Sequence, residues 1–404
     1  MVTNWHPLPR AGEGRGEGHA HSLCNFVPLP LSTLTVAFTT MTLSIRVLVS
    51  CLLAVIIMVP AHGQSDKAVA HANRAIQLMD QGLGRQAIAE WDKAIALEPG
   101  IAAYQYERTL CYVMEKDYVT ALSMLMPIYR DLNLYDRGYQ LMGNIYSLQN
   151  DSAQAVNYYR EGIAAVPTSG RLHYEIGAAA FIDRKIPEAL DWWKRGTRVE
   201  PGFATNYYWL AKVYAESKEK LWSVLYGEAF LNLERASERT KEVSKLLFDT
   251  WNAALRFGDT LDPINLASED VLEIPSPLGP NQMNFAMAFE FTVANGGQHL
   301  IPASGVLKKL SLPQLVDLRT RFIKAWTQGG KDTTYRNDIL AFQAQIAKAG
   351  WIKEYFYWLY SYGDKKAMNE YFRTNEHRYD TFLAWFGNTQ MPFNTPLCLE
   401  MSCP

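Results

Sequence analysis

PEALDWWKRGTRVEP, residues 187–201, sets a small residue, Ala189, four places before a large one, Trp193, and closes on Pro201. The same marks recur upstream at a fixed distance: Ala155, Tyr159 and Pro167, then Ala87, Trp91 and Pro99. Ala121 and Leu125 keep the register between them, with Asn133 in place of the proline. Starting at Ala68, the chain divides into five consecutive blocks of 34 residues, 68–101, 102–135, 136–169, 170–203 and 204–237, with no insertion. A small residue lets two helices approach, the large one fills the space to the next pair, and proline cannot continue the helix. The fifth block keeps a small residue, Ser223, but has Gly227 where the large one is expected.

The first half of each block carries a second pattern. Tyr139, Met142, Gly143 and Tyr146 share one helix face, as do His173, Ile176 and Gly177, and Tyr207, Leu210, Ala211 and Tyr214. Block two departs from it at Gln105, Arg108 and Thr109 and returns at Tyr112. Together these residues resemble the tetratricopeptide repeat over residues 68 to about 237. The resemblance implies an all-α, right-handed solenoid of antiparallel helix pairs whose first helices line a concave groove for a protein or peptide partner. Carried onto this chain, the groove places hold Tyr106, Arg137, Gln140 and Asn144, then Arg171, Tyr174, Tyr208, Trp209 and Lys212. Rings interleaved with cations suit apolar and acidic side chains. One subset of the family clamps a C-terminal carboxylate with Lys and Asn, but Ala72 and Ile76 stand at those places here.

Beyond the repeats, residues 238–256 read as a capping helix, with Leu246, Leu247, Trp251 and Leu255 inward and Arg239, Lys241, Glu242 and Lys245 outward. Residues 257–282, with four prolines, read as a linker or strapped loop. An aromatic-rich helical domain is expected over 283–390, followed by a tail, 391–404. Within it Phe285, Met287, Phe289, Phe291 and Val293 alternate as a strand would, while the helical surroundings favour a helix. Ser311-Leu312-Pro313 starts a helix through Trp326 that Gly329-Gly330 ends, and further helices are expected over 333–349, 351–362, 364–373 and 375–386. In WIKEYFYWLYSYG, residues 351–363, Trp351, Tyr355, Trp358 and Tyr362 share a face, and Ile352, Phe356 and Leu359 form the next stripe. This helix is expected to be the spine of the C-terminal bundle, with Tyr357 and Tyr360 left facing outward.

At the other end, residues 1–40 carry no periodic apolar text. From Met41 an n-region ending in Arg46, an apolar run of 13 residues from Val47 to Val59, and Ala61-His62-Gly63 ahead of Gln64 have the form of a secretory signal peptide. Met41 is therefore expected to be the biological start and the protein to be exported, periplasmic or secreted. A retained anchor is the weaker reading, since spanning takes about 20 apolar residues. The three cysteines beyond this segment are Cys111, expected to be a small buried residue, and Cys398 and Cys403, for which a local disulfide and two free thiols are both open.

A net charge of −2 with 20% charged residues argues against a nucleic-acid binder. No phosphate loop, zinc-protease or nucleophile-elbow motif is present, and no His/Cys spacing suggests a metal. The sequence therefore designates no catalytic residue and calls for no cofactor. His71 and His173 occupy packing places, and Glu376-His377-Arg378-Tyr379-Asp380 reads as a solvated helix face. Two functions follow: an exported scaffold that holds a protein partner on the repeats, or a cell-wall or glycan-binding, even hydrolytic, C-terminal module. The second fails if Trp351, Trp358 and Trp385 are buried among helices, and gains if two or more of them line an open cleft with carboxylates.

Overall fold

The computed structural model describes residues 66–257, 264–272, 279, 282–303, 305–307, 309–393 and 397–398. The upstream and signal segments lie outside them. The chain forms two compact units, divided between Asp151 and Ser152. The fold class is all-α: among the described residues the only β contacts are the isolated bridges Leu255–Ile264 and Phe257–Leu307.

The first unit holds α1 (Asp66–Asp80), α2 (Gly84–Leu97), α3 (Ala102–Met114), α4 (Tyr118–Leu125) and α5 (Arg137–Leu148). Ala87 and Trp91 are buried with Ala68, Ala75 and Met79, and the Trp91 indole donates to Met79 Sδ at 3.3 Å. Block two's odd Arg108 bridges two helices, donating to Asp92 at 2.7 Å and to Met124 Sδ at 3.3 Å. Cys111 is buried, as expected, and its Sγ donates to the Glu107 carbonyl at 3.5 Å.

The second unit continues with α6 (Ser152–Ala165), α7 (Gly170–Ile182), α8 (Ile186–Val199), α9 (Ala204–Ala215), α10 (Lys220–Leu233) and α11 (Glu238–Ala254). Ala155, Ala189 and Ser223 are buried, as are Tyr159 and Trp193. Gly177 is small for a reason: a Cβ there would stand 2.4 Å from Trp193 Nε1. Gly227 breaks the large-residue column because Leu247 of α11 fills the place, 2.6 Å from where a Cβ would be.

The two helices of each of the first four repeats are joined alike. Gly82, Lys116, Asn150 and Arg184 have φ of +74°, +61°, +64° and +61°. In each turn the next residue's N–H reaches back to close a six-residue loop: Leu83 to Leu78, Asp117 to Tyr112, Asp151 to Tyr146 and Lys185 to Ala180, all at 2.9 Å. This is the Schellman ending, which satisfies carbonyls left over at a helix C-terminus. The helix pairs are thus of tetratricopeptide type in period, packing and turn.

After α11 come a short α12 (Glu269–Leu272), α13 (Phe285–Gly297), α14 (Leu312–Gln328), a one-turn α15 (Lys331–Thr334), α16 (Asp338–Lys348), α17 (Ile352–Leu359) and α18 (Lys365–Gly387). The ambiguous 283–294 stretch is helical, and Asn284 caps it by accepting from Met287 N–H at 2.9 Å. The Ser311 start is a capping box with Gln314. The helix expected over 333–349 is broken, because Asn337 caps a fresh start by accepting from Leu340 N–H at 3.0 Å. The expected break between 373 and 375 is a kink at Asn375 (φ −134°, ψ 22°) within one long helix.

Two assignments of facing are corrected. Tyr357 and Tyr360 are buried: Tyr357 stacks on Tyr371 at 3.5 Å, and Tyr360 donates to Glu228 at 3.0 Å. α17 is packed nearly all round, so its far side is core too. On α11, Val243 and Phe248 are buried while Leu246 is only half-buried, since two sets of helices claim different sides of it.

α10 joins the last repeat to the C-terminal helices. Every residue from Leu221 to Asn232 is buried. Trp222 stacks on Phe285 at 6.2 Å, and Asn232 donates to the Tyr355 hydroxyl at 2.8 Å. Residues 264–268 are strapped down: Glu290 Oε1 accepts from the N–H groups of Leu266 and Ala267 at 2.9 Å each. Arg235 caps the end of α18 by donating to the carbonyls of Phe386 and Thr389 at 2.6 and 2.8 Å. Cys398 is disulfide-bonded, and Cys403 lies outside the described residues.

Candidate partner-binding face

The nine groove places fall in both units, each with its own surroundings. In the first unit Arg137 is exposed at the start of α5, and Gln140 and Asn144 are half-buried along it. Tyr106 on α3 is only 9% exposed, which corrects its expected place as a contact ring.

In the second unit the face begins with Arg171 and Tyr174 on α7. The Arg171 guanidinium lies 5.3 Å over the Phe203 ring, and the Tyr174 ring is 6.5 Å from that same phenyl group. Burial, then the nearby Glu175 charge, raises the Tyr174 phenol above its ordinary range, so it stays a neutral donor. Arg171 and Tyr174 are both half-buried.

On α9 the picture changes. Trp209 is 6% exposed and packs on Trp193 and Phe181, both at 5.8 Å, so it is core between helix pairs and not a contact residue. Tyr208 is equally buried. Its hydroxyl donates to Glu242 Oε2 at 2.7 Å, while Lys212 Nζ donates to Glu242 Oε1 at 2.7 Å and to the Tyr208 oxygen at 3.1 Å. Arg239 adds a guanidinium 5.3 Å over the Tyr208 ring and pairs with Glu234. Burial pushes the Glu242 carboxyl up, but hydrogen bonds from Lys212 and Tyr208 and the two cations bring it below its ordinary value.

The sequence assigned Arg239 and Glu242 to the outer side of a cap; instead they satisfy the face of α9. A signal for this was present. Tyr208 and Glu242, and likewise Thr205 and Arg239, which bond at 3.3 Å, are 34 residues apart. α11 therefore stands where the first helix of a sixth repeat would. Its apolar residues do not follow the repeat pattern, because its other side packs on the C-terminal helices.

In the C-terminal part, the kink at Asn375 borders a shallow cleft of about 460 Å³ lined by Trp351, Thr374, Asn375, Glu376, His377, Arg378 and Thr381. Of the three tryptophans on which a glycan platform depends, only Trp351 lines it, and the Arg378 guanidinium lies 4.9 Å over that indole. Trp351 also leans on Trp385 at 6.4 Å and Phe382 at 6.3 Å. Trp351, Trp358 and Trp385 are each half-buried. Among the described residues, no three His, Cys, Asp or Glu side chains are grouped to hold a metal, and no helix is long and apolar enough to cross a membrane.

No family model and no curated protein sequence matches the chain. Among solved structures, MamA is 21% identical over 35% of this chain and 82% of its own, with a TM-score of 0.30. MamA from residue 41 onward, from Desulfovibrio magneticus RS-1, is 15% identical over 44% and 99%, with a TM-score of 0.32. YrrB, described as a TPR protein with an unusual peptide-binding site, is 19% identical over 43% and 89%, with a TM-score of 0.28. Scores this low transfer neither groove nor ligand, and the repeat character rests on the helix pairs themselves.

Proposed function

We propose that the chain is an exported scaffold that holds a protein or peptide partner against the first helices of its repeats. The observation that carries this reading is the α7 face, where Arg171 and Tyr174 flank Phe203 at 5.3 and 6.5 Å. A guanidinium beside two rings offers wide apolar contact and one charge, which suits a segment with apolar and acidic side chains. At the α9 end Lys212 and Tyr208 are both engaged by Glu242.

Affinity purification of the processed protein from its native envelope, with mass spectrometry of what co-purifies, tests the reading. A protein partner is expected that an Arg171→Glu, Tyr174→Ala variant loses. Retention on peptidoglycan with no protein partner would overturn it. Export has a separate test, because the mature N-terminus is expected at Gln64.

A further inference from the structure

α13 carries apolar side chains on its outer side as well as its inner one. Phe285, Ala288, Phe289 and Val293 face the core. Met287 and Phe291, one turn apart, are 40% and 51% exposed, and Met283, just before the Asn284 cap, is 40% exposed. Side chains at four-residue spacing form one stripe, here about 12 Å long from 283 to 291 if counted at the helical rise. The flexible thioether adapts to varied partners, and such residues are common at binding surfaces.

The stripe is edged by the segment of α15. The Tyr335 hydroxyl donates to the Met283 carbonyl at 2.7 Å, and the Lys331 ammonium lies 5.5 Å from the Phe291 ring and 5.9 Å from that of Trp326. Lys331 donates to Thr292 Oγ1 at 2.7 Å. Among the described residues it makes no ion pair, although the neighbouring Asp332 is exposed. Burial pushes its ammonium below the ordinary lysine range. A half-buried cation held over rings, with a hydroxyl but no carboxylate beside it among the described residues, has room for an acidic partner.

We infer that the outer side of α13, with Lys331 at its edge, is a docking surface for a short amphipathic peptide segment that lays apolar side chains on Met283, Met287 and Phe291 and brings a carboxylate to the lysine. The apolar stripe supplies area, and the cation sets the register and rejects a segment of the wrong charge. This surface is distinct from the α7 face, so the two readings stand or fall separately.

The test is calorimetric titration of the processed full chain with two synthetic helical peptides of about 14 residues, roughly 20 Å long. They share a Leu/Phe stripe and differ in one flanking residue, Glu or Lys. The Glu peptide is expected to bind at least about tenfold more tightly. Lys331→Glu should invert that preference, Phe291→Asp should abolish binding of both peptides, and Ile182→Asp on another exposed site should change nothing. Met287→Ser is the second variant should Phe291→Asp melt early. Equal affinity for the two peptides, an unaltered preference in Lys331→Glu, or no binding would overturn the proposal. So would concentration-dependent dimerisation that Phe291→Asp removes, because the surface would then belong to a second copy of the chain.

Discussion

The Glu228 carboxylate of α10 and the Arg319 guanidinium of α14 meet at 3.0 Å with both side chains wholly buried. Gln343 donates to the same carboxylate at 2.7 Å and Tyr360 at 3.0 Å, so the acid is fully engaged. The guanidinium sits 5.0 to 5.1 Å from the rings of Phe322, Trp251 and Phe356, while its Nε and Nη1 find no acceptor among the described residues. A buried pair gains little over an apolar replacement, but removing one partner strands the other charge. Arg319→Met or Glu228→Gln alone should therefore cost about 3–5 kcal/mol. The double variant should recover a large part of that loss in urea unfolding. Strictly additive losses would mean that the two groups are not coupled.

The left-handed turns give a prediction of opposite sign. An L-residue in that conformation is strained by about 1–2 kcal/mol, which glycine avoids at some cost in backbone entropy. Lys116→Gly and Arg184→Gly should each stabilise the fold by up to about 1 kcal/mol, and Gly82→Ala should destabilise it similarly. Thermal unfolding of the three variants decides this, and a loss in both glycine variants would contradict it.

Gly177→Ala should destabilise by about 1–3 kcal/mol, since the new methyl overlaps the Trp193 ring, whose Nε1 is held by the Tyr174 carbonyl at 3.2 Å. Gly202→Ala, where a Cβ meets nothing within 4 Å, is the matched control and should be near neutral. Equal effects from the two would rule out close packing as the cause.

The Glu242 cluster predicts a pH response. Its folded carboxyl titrates below 4.5, so the contribution is complete above that pH and is lost as pH falls through the lower folded value. Carbon-detected NMR of the Glu242 side-chain carboxyl should show the depressed midpoint. Lys212→Met should move it upward, and an unmoved midpoint would take Lys212 out of the cluster.

The repeats were legible because their signals are local: Ala189, Trp193 and Pro201 act within one helix and its turn. The turn residues themselves were not, since Lys116 and Arg184 do not advertise a positive φ. The groove register misplaced Tyr208 and Trp209, because a residue's face is set by every helix that touches it, and α9 is gripped by more than the repeat rule supplies. Tyr360 was misplaced for the same reason. Its partner, Glu228, lies 132 residues away, and no period connects them. Lys331 carries no signal in sequence, since only the fold brings it over the Phe291 and Trp326 rings.

The burial of α10 on every side has a consequence for how such an array can change in length. A helix pair with one open side accepts another unit, but here the side that would receive it is already taken by α11, which the C-terminal helices hold in turn through Trp251–Phe289 and Ser244–Tyr362. A further pair fits only upstream of Ala204, where α9 begins, so α9, α10 and the C-terminal helices form one indivisible block.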